Sequence, residues 1–319
     1  MPIEARGTPI FDEKGNIAYA IVALQDITER KKAEAQRGEF VRELFELNSS
    51  YERFIPRQFL QILGKNSILD VQLGDQVQQE MSVLFSDIRS FTTLSESMTP
   101  AENFKFINSY LSCMEPLIRE NQGFIDKYIG DAIMALFSGE ADNSVQAAIA
   151  MLHRLKEYNQ GRRRAGYAPI AIGIGINTGS LMLGTVGGYN RMDGTVISDA
   201  VNLASRLESL TKKYGVNLLI SHQTFAKLGN ANQYNIRLID RVTVKGKSKP
   251  VAVFEVFDGD EAEILEGKLE TQTIFEEALF LYYVHNFKEA TQRFQDCLTV
   301  NPRDKVAQIY LERCQQHLI

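Results

Sequence analysis

Between Met81 and Ile176 the apolar pattern of this 319-residue sequence changes period in a fixed order, and no other stretch restricts the fold as much. Met81–Ser86 is a short, nearly uninterrupted apolar run, the pattern of a strand buried on both faces. Thr99-Pro-Ala-Glu102 then opens a helix with a capping box and a proline at its first position, and that helix closes near Gly123. Two apolar runs flank Ile129-Gly-Asp131, which reads as a tight β-hairpin with the acid at its tip. A second helix is expected from about Asp142 to Tyr158, then a basic loop at Arg162-Arg-Arg-Ala-Gly166 and a strand at Ile170–Ile176. Strand, helix, strand, strand, helix, strand predicts an α+β fold with ferredoxin-like βαββαβ topology and further strands after it.

Asp87 ends the first of these strands and Asp131 sits at the hairpin tip. Taken singly, either is an ordinary turn former or helix cap. If the two runs are neighbouring strands, the carboxylates converge, which is the layout of a two-metal site for phosphoryl displacement. Arg89-Ser-Phe-Thr-Thr93 follows Asp87 as a loop of small and polar residues whose amides suit phosphates, and Lys127 lies four residues before Asp131. Beyond Asn177-Thr-Gly179 comes a glycine-rich, polar stretch, Gly184–Asp193, and a helix is expected to begin at Thr195. Asn202 and Arg206 share a face of it, either as a holder of ribose and crowded phosphate or as a solvated surface. Lys245 and Lys247 fall on a hairpin turn, where lysines are usually just solvated.

With 44% hydrophobic residues the chain can bury a sizeable core, and 35 basic against 40 acidic residues exclude a general attraction to nucleic acid or anionic lipid. Cys113, Cys297 and Cys314 are odd in number and widely spaced, as reduced core thiols are. No apolar run reaches the roughly 18–20 residues of a spanning helix, and the start lacks a signal-peptide core, so no membrane insertion and a cytoplasmic location are expected. Residues 1–28 read as two short strands running into Asp26-Ile-Thr-Glu-Arg30, and residues 29–79 as a helical linker. Phe40, Leu44, Leu47, Tyr51 and Phe54 are spaced four, three, four, three, the seam of a parallel dimeric stem or one face of a single amphipathic helix, before Pro56 breaks the pattern. In residues 271–319, Ala278, Ala290, Phe294, Cys297 and Pro302 fit one tetratricopeptide-like repeat or a plain two-helix cap.

Phe85-Ser-Asp-Ile-Arg-Ser-Phe91, Lys127-Tyr-Ile-Gly-Asp131, Gly175-Ile-Asn-Thr-Gly179, Val201-Asn-Leu-Ala-Ser-Arg206 and Val244-Lys-Gly-Lys247 occur in an order that resembles the class III nucleotide cyclases over residues 80–258. The first thirty residues resemble the end of a PAS sensor domain. The order sensor, stem, cyclase and repeat is similar to that of cyanobacterial, bicarbonate-responsive adenylate cyclases. The resemblance implies an adenylate cyclase that converts ATP to 3′,5′-cyclic AMP and pyrophosphate for intracellular signalling. It implies two divalent cations, Mg²⁺ with Mn²⁺ able to substitute, on Asp87, Asp131 and the Ile88 carbonyl. It also implies that the Arg89, Ser90, Phe91 and Thr92 backbone cradles the triphosphate, that Lys127 and Thr195 read the purine, and that Asn202 orients the ribose. Arg206 would stabilise charge at the α-phosphate, and Lys245 would hold the outer phosphates. Each site would be shared across a homodimer formed by the catalytic domain and the stem, with bicarbonate as an activator.

Thr195 stands where many adenylate cyclases carry Asp, and a hydroxyl forces the choice of base less than an acid does. Guanylate cyclase is therefore the nearest alternative, and a catalytically inactive dimeric signalling module is the alternative from another class. Gly187-Gly188 superficially suits a diguanylate cyclase, but Tyr189-Asn190 follows in place of acids.

Overall fold

The chain divides at Arg57: the computed structural model, which describes residues 1–188, 190–242 and 250–318, separates Met1–Arg57 from Gln58–Ile319. In the first unit, strands β1 (Ile3–Phe11) and β2 (Ile17–Asp26) pair antiparallel. Asp12 closes their turn by accepting from the Lys14 and Asn16 amides, both at 2.9 Å. Asp26 accepts from the amide and hydroxyl of Thr28, fixing the start of helix α1 (Thr28–Tyr51). No residue of α1 is buried, and Phe40, Leu44, Leu47, Tyr51 and Phe54 are all exposed.

A short helix α2 (Arg57–Ile62) begins at the last residue of the first unit, and the second continues with β3 (Gln76–Ile88), α3 (Phe91–Glu96), α4 (Pro100–Glu120), β4 (Gly123–Ile129), β5 (Ala132–Phe137) and α5 (Ala141–Arg164). Then come β6 (Ile172–Gly188), β7 (Arg191–Ile197), α6 (Asp199–Tyr214), β8 (Leu218–Ser221), α7 (His222–Ala226), β9 (Ile236–Val242) and β10 (Val251–Val256). The strands form one sheet in the order β4-β5-β3-β6-β8-β10-β9, with β7 on the distal half of β6. Only the β6–β8 pairing is parallel among the described strands. The order β4-β5-β3-β6 is the expected ferredoxin-like arrangement, and β3 lies at its centre.

Period-two alternation in Ile172-Gly-Ile-Gly-Ile176 sets the layers. The isoleucines enter the core beneath α4 and α5, with Leu84, Ile133, Tyr110, Met114 and Met151. The glycines face α6: a Cβ on Gly175 would come within 2.1 Å of the Glu208 nitrogen and 2.4 Å of the Ala204 oxygen. The helix therefore lies directly on the backbone of β6.

Several boundaries differ from the sequence expectation. The Thr195-Val-Ile run is strand, as β-branched residues favour, and α6 starts only after Ser198, whose Oγ accepts from the Ala200 amide at 3.0 Å. Arg162–Arg164 form the last turn of α5 and not a loop, since cations suit a helix C-terminus and Arg162 stacks 4.8 Å from the centre of the Phe106 ring. Phe91 and Thr92 open α3 instead of lying in an extended loop.

The C-terminal helices α8 (Ala262–Tyr283), α9 (Phe287–Val300) and α10 (Lys305–Leu318) pack on β9, β10 and α6, so that Phe275, Phe294 and Tyr310 share one core with Leu203, Leu207 and Tyr214. Helix α8 begins well before Thr271. Cys297 and Cys314 are buried, Cys113 is half-buried, and all three thiols are free. No helix among the described residues is long and apolar enough to cross a membrane.

Candidate active site

β3 and the β4–β5 turn deliver two carboxylates to one place. The Ile88 amide donates to Asp87 Oδ1 at 3.1 Å and to Asp131 Oδ2 at 3.2 Å, so one N–H fixes both acids. Gly130, at φ +65°, makes the turn that brings Asp131 there. Asp131 is pushed up to about 7, first by burial and then by Asp87 as hydrogen-bond partner and like charge. Two carboxylates held together against their repulsion, next to the Ile88 carbonyl, fit a divalent cation, which would remove the repulsion. No cluster of three or more Asp, Glu, His or Cys suited to a metal occurs among the described residues. A cation here would complete its shell with water and substrate phosphate, as Mg²⁺ usually does.

The next residues divide their roles between backbone and side chain. The Arg89 amide is already bonded to the Ala171 carbonyl at 2.8 Å, so it is not available to a phosphate. Its guanidinium turns back to the Thr211 carbonyl in the last turn of α6, at 3.5 Å, and to the Val216 carbonyl just beyond that helix. Ser90 has left-handed φ, +56°, rare for a residue with a Cβ, and turns the chain into α3. As the N-cap and first residues of α3, Ser90, Phe91 and Thr92 have amides without intrahelical acceptors.

Lys127 and Thr195 lie on different strands and meet: Lys127 Nζ donates to Thr195 Oγ1 at 3.0 Å. Thr195 is held opposite Gly184 in the β6–β7 ladder. On α6, Asn202 and Arg206 are exposed while Leu203, Ala204 and Leu207 are buried. Neither Asn202 nor Arg206 forms an ion pair or side-chain hydrogen bond among the described residues. Lys245 lies outside the described residues.

Sequence reasoning passed over two carboxylates. Glu208 packs beside Gly173, the cross-strand partner of Asp87: a Cβ on Gly173 would meet its Oε1 at 3.1 Å. Burial and then Asp87 push Glu208 up to about 7, against the opposing effect of Arg89. Asp126 lies 3.3 Å from Lys127 with a side chain 2% exposed, and burial raises its pKa while Lys127 lowers it. A polar residue inside the apolar run Phe124–Ile129 was the available signal for Asp126. Glu208 had none, being one charge among several on a helix.

Successive helical residues turn by about 100°, so Arg206 is about 200° from Glu208 and about 40° from Asn202. With Glu208 against β6 beside Asp87, Asn202 and Arg206 are directed away from the Asp87 and Asp131 carboxylates of their own chain.

The family model described as the adenylate and guanylate cyclase catalytic domain matches residues 73–256. The chain is 46% identical over 213 residues to an adenylate cyclase of Anabaena cylindrica, covering 65% of this chain and 42% of the relative. It is 39% identical over 279 residues to the terminal-differentiation specific adenylate cyclase of Dictyostelium discoideum, covering 86% of this chain and 13% of the relative. The chain thus spans less than half the length of either. Among solved structures, the adenylyl cyclase CyaB from P. aeruginosa matches at TM-score 0.51 and 34% identity, over 57% of this chain and 95% of that one. The guanylyl cyclase Cya2 matches at TM-score 0.51 and 33% identity, over 56% and 92%.

Proposed function

From its membership of the adenylate and guanylate cyclase catalytic domain family, to which this chain belongs, we propose that it converts ATP to 3′,5′-cyclic AMP and pyrophosphate at sites shared across a homodimer. The observation that carries the reading is the convergence of Asp87 and Asp131 on the Ile88 amide, with Arg206 facing away on α6. Two divalent cations, Mg²⁺ with Mn²⁺ able to substitute, would be held by Asp87, Asp131 and the Ile88 carbonyl, and would activate the ribose 3′-hydroxyl and neutralise the leaving pyrophosphate.

The remaining steps fall to the chain itself. The Ser90, Phe91 and Thr92 amides receive phosphate oxygens. Lys127 and Thr195 hold the purine edge, and Asn202 orients the ribose so that its 3′-oxygen lies in line with the α-phosphorus. That oxygen bonds to the α-phosphorus as the bond to the pyrophosphate oxygen breaks, and its proton passes to solvent. Arg206 stands where charge develops on the α-phosphoryl oxygens, so it serves the transition state more than the bound substrate. Lys245 is assigned to the outer phosphates by resemblance alone.

A shared site explains why α6 presents Arg206 and Asn202 outward: the partner protomer supplies the metal pair they serve. The exposed seam of α1 supports a parallel stem that brings two such chains together. In this reading residues 1–28 end a PAS-like sensor, 29–79 form the stem, 80–258 catalyse, and 271–319 are a tetratricopeptide-like unit. The enzyme works in the cytoplasm, where ATP is supplied, and answers to bicarbonate.

Guanylate cyclase is the second reading, favoured by Thr195 in place of an acid. Incubation with ATP or GTP plus Mg²⁺ or Mn²⁺, with and without bicarbonate at fixed pH, and chromatographic separation of products decides between them. ATP is expected to be preferred and the rate to rise with bicarbonate. A preference for GTP of about tenfold, equivalent to about 1.4 kcal/mol in the transition state, would sink the adenylate reading, and a flat response would remove bicarbonate.

A further inference from the structure

We propose that Asp126 is a positioning residue for base selection: its carboxylate holds the Lys127 ammonium in one direction, so that a nucleotide is chosen by where its purine presents an acceptor. This rests on the reading that Lys127 and Thr195 meet the purine edge.

Along a regular strand Asp126 and Lys127 would point to opposite faces of the sheet. β4 is not regular there, because its register against β5 shifts between Ile125 and Lys127. A bulge of this kind re-aims side chains, and the two neighbours end with Nζ and Oδ2 only 3.3 Å apart. The Asp126 side chain is 2% exposed and that of Lys127 is 37% exposed, so the acid lies behind the amine as seen from solvent. Asp126 Oδ2 is buried without a hydrogen-bond partner among the described residues. A shielded carboxylate oxygen without a hydrogen bond is costly to the fold, and the only cation beside it among the described residues is Lys127.

An ammonium has three N–H donors and no acceptor. Lys127 gives one to Thr195 Oγ1 at 3.0 Å, and the charge of Asp126 at 3.3 Å attracts the ammonium without taking a hydrogen bond. The remaining donors are left for a ligand, on a side chain whose swing is restrained from two sides. Adenine presents a bare ring nitrogen, N1, beside a donor amine. Guanine presents a protonated N1 beside the acceptor O6. A lysine free to swing can follow either acceptor, whereas a lysine fixed by Asp126 and Thr195 serves one position. Asp126 thereby supplies part of the discrimination that an acid at position 195 would otherwise provide.

The test compares kcat and KM for ATP and for GTP in the wild type, Asp126→Asn and Asp126→Ala, with thermal melts as a control for folding. Asp126→Ala is expected to lower kcat/KM for ATP about tenfold, mainly through KM, while GTP changes less than about threefold, so the ATP-to-GTP ratio falls. Asp126→Asn, which keeps an acceptor but loses the charge, is expected to fall between the two, and it decides the matter if the alanine variant does not fold. An unchanged ratio, or an equal loss for both nucleotides, would overturn the proposal, because a merely structural carboxylate harms both substrates alike. A wild type that cyclises neither nucleotide would instead overturn the cyclase reading beneath it.

Discussion

Replacing Asp304 with alanine removes one member of a buried ionic network that joins the C-terminal helices to the sheet. Arg237 on β9 has a fully buried side chain and donates to Asp304 through both terminal nitrogens, at 2.5 and 2.9 Å, and to Glu255 on β10 through Nε at 2.7 Å. Lys268 on α8 bonds Glu255 and Asp260, each at 2.5 Å. Asp304 also caps α10 by accepting from the Val306 and Ala307 amides at 3.1 and 3.3 Å. Burial alone would raise its pKa, but Arg237 holds the carboxyl below the usual range. Removing one partner of a buried pair costs about 3–5 kcal/mol, because a desolvated charge is stranded, and loss of the cap adds about 1 kcal/mol. The sum, about 4–6 kcal/mol, is a large part of the roughly 5–15 kcal/mol that stabilises a typical domain. At about 2–4 °C per kcal/mol for a unit of this size, the melting temperature should fall by about 8–24 °C. Urea titration followed by circular dichroism measures the loss, and Asp304→Asn, which keeps a capping oxygen, should lose less. A loss below about 1 kcal/mol would refute the reasoning, since the network would then be incidental to docking of the helices.

Three further outcomes are expected. Arg206→Ala should lower kcat about 10²–10³-fold with little change in KM or melting temperature, because the side chain is exposed and, in the proposed mechanism, serves the transition state more than the bound substrate. Mixing Arg206→Ala with Asp87→Ala subunits should restore about one working site per mixed dimer, and no recovery in demonstrated mixed dimers counts against shared sites. In metal-free protein, Asp131 and Glu208 keep their protons up to about pH 7 when folded but lose them near 3.8 and 4.5 when unfolded. Between those limits the folded state binds more protons, so stability should fall as pH rises through this window, and Mg²⁺ should restore it near pH 7. A metal-free melting temperature that rises across the window would show that burial and Asp87 do not hold these two acids protonated as described.

How far the site could be read from sequence depended on the range over which each part is specified. Asp87 and Asp131 were legible because each depends on its own strand and turn, and a strand end or a Gly-Asp tip is written in a few residues. The helix capped by Thr99 and Glu102 was legible for the same reason, and its capping box is present in the structure. Thr195 was placed on the wrong element because a β-branched run just before a helix cap carries both signals until the pairing with Gly184 decides. Asp126 depends on a register shift, and register is a property of two strands together. The meeting of Arg237 with Asp304, 67 positions apart, depends on where α10 docks, which no local pattern encodes.

Helix α6 shows why these parts belong to one device. Its inner face touches the Asp87 side of its own chain through Glu208, and the Arg89 guanidinium grips the carbonyls of Thr211 and Val216 at its C-terminal end. There Tyr214 donates to Asp240 on β9, which also accepts from Arg313 of α10 at 3.1 Å and from Tyr283 of α8 at 3.3 Å. The outer face carries Asn202 and Arg206. A helix held at one end by a residue two places after Asp87, and by the C-terminal helices as well, cannot shift without moving both. Gly175 leaves it no vertical play either, because the helix already rests on the backbone of β6. If the outer face serves a partner's nucleotide, whatever displaces α8–α10 acts on the position of Arg206. On that condition, binding at these helices should register in kcat before it registers in KM.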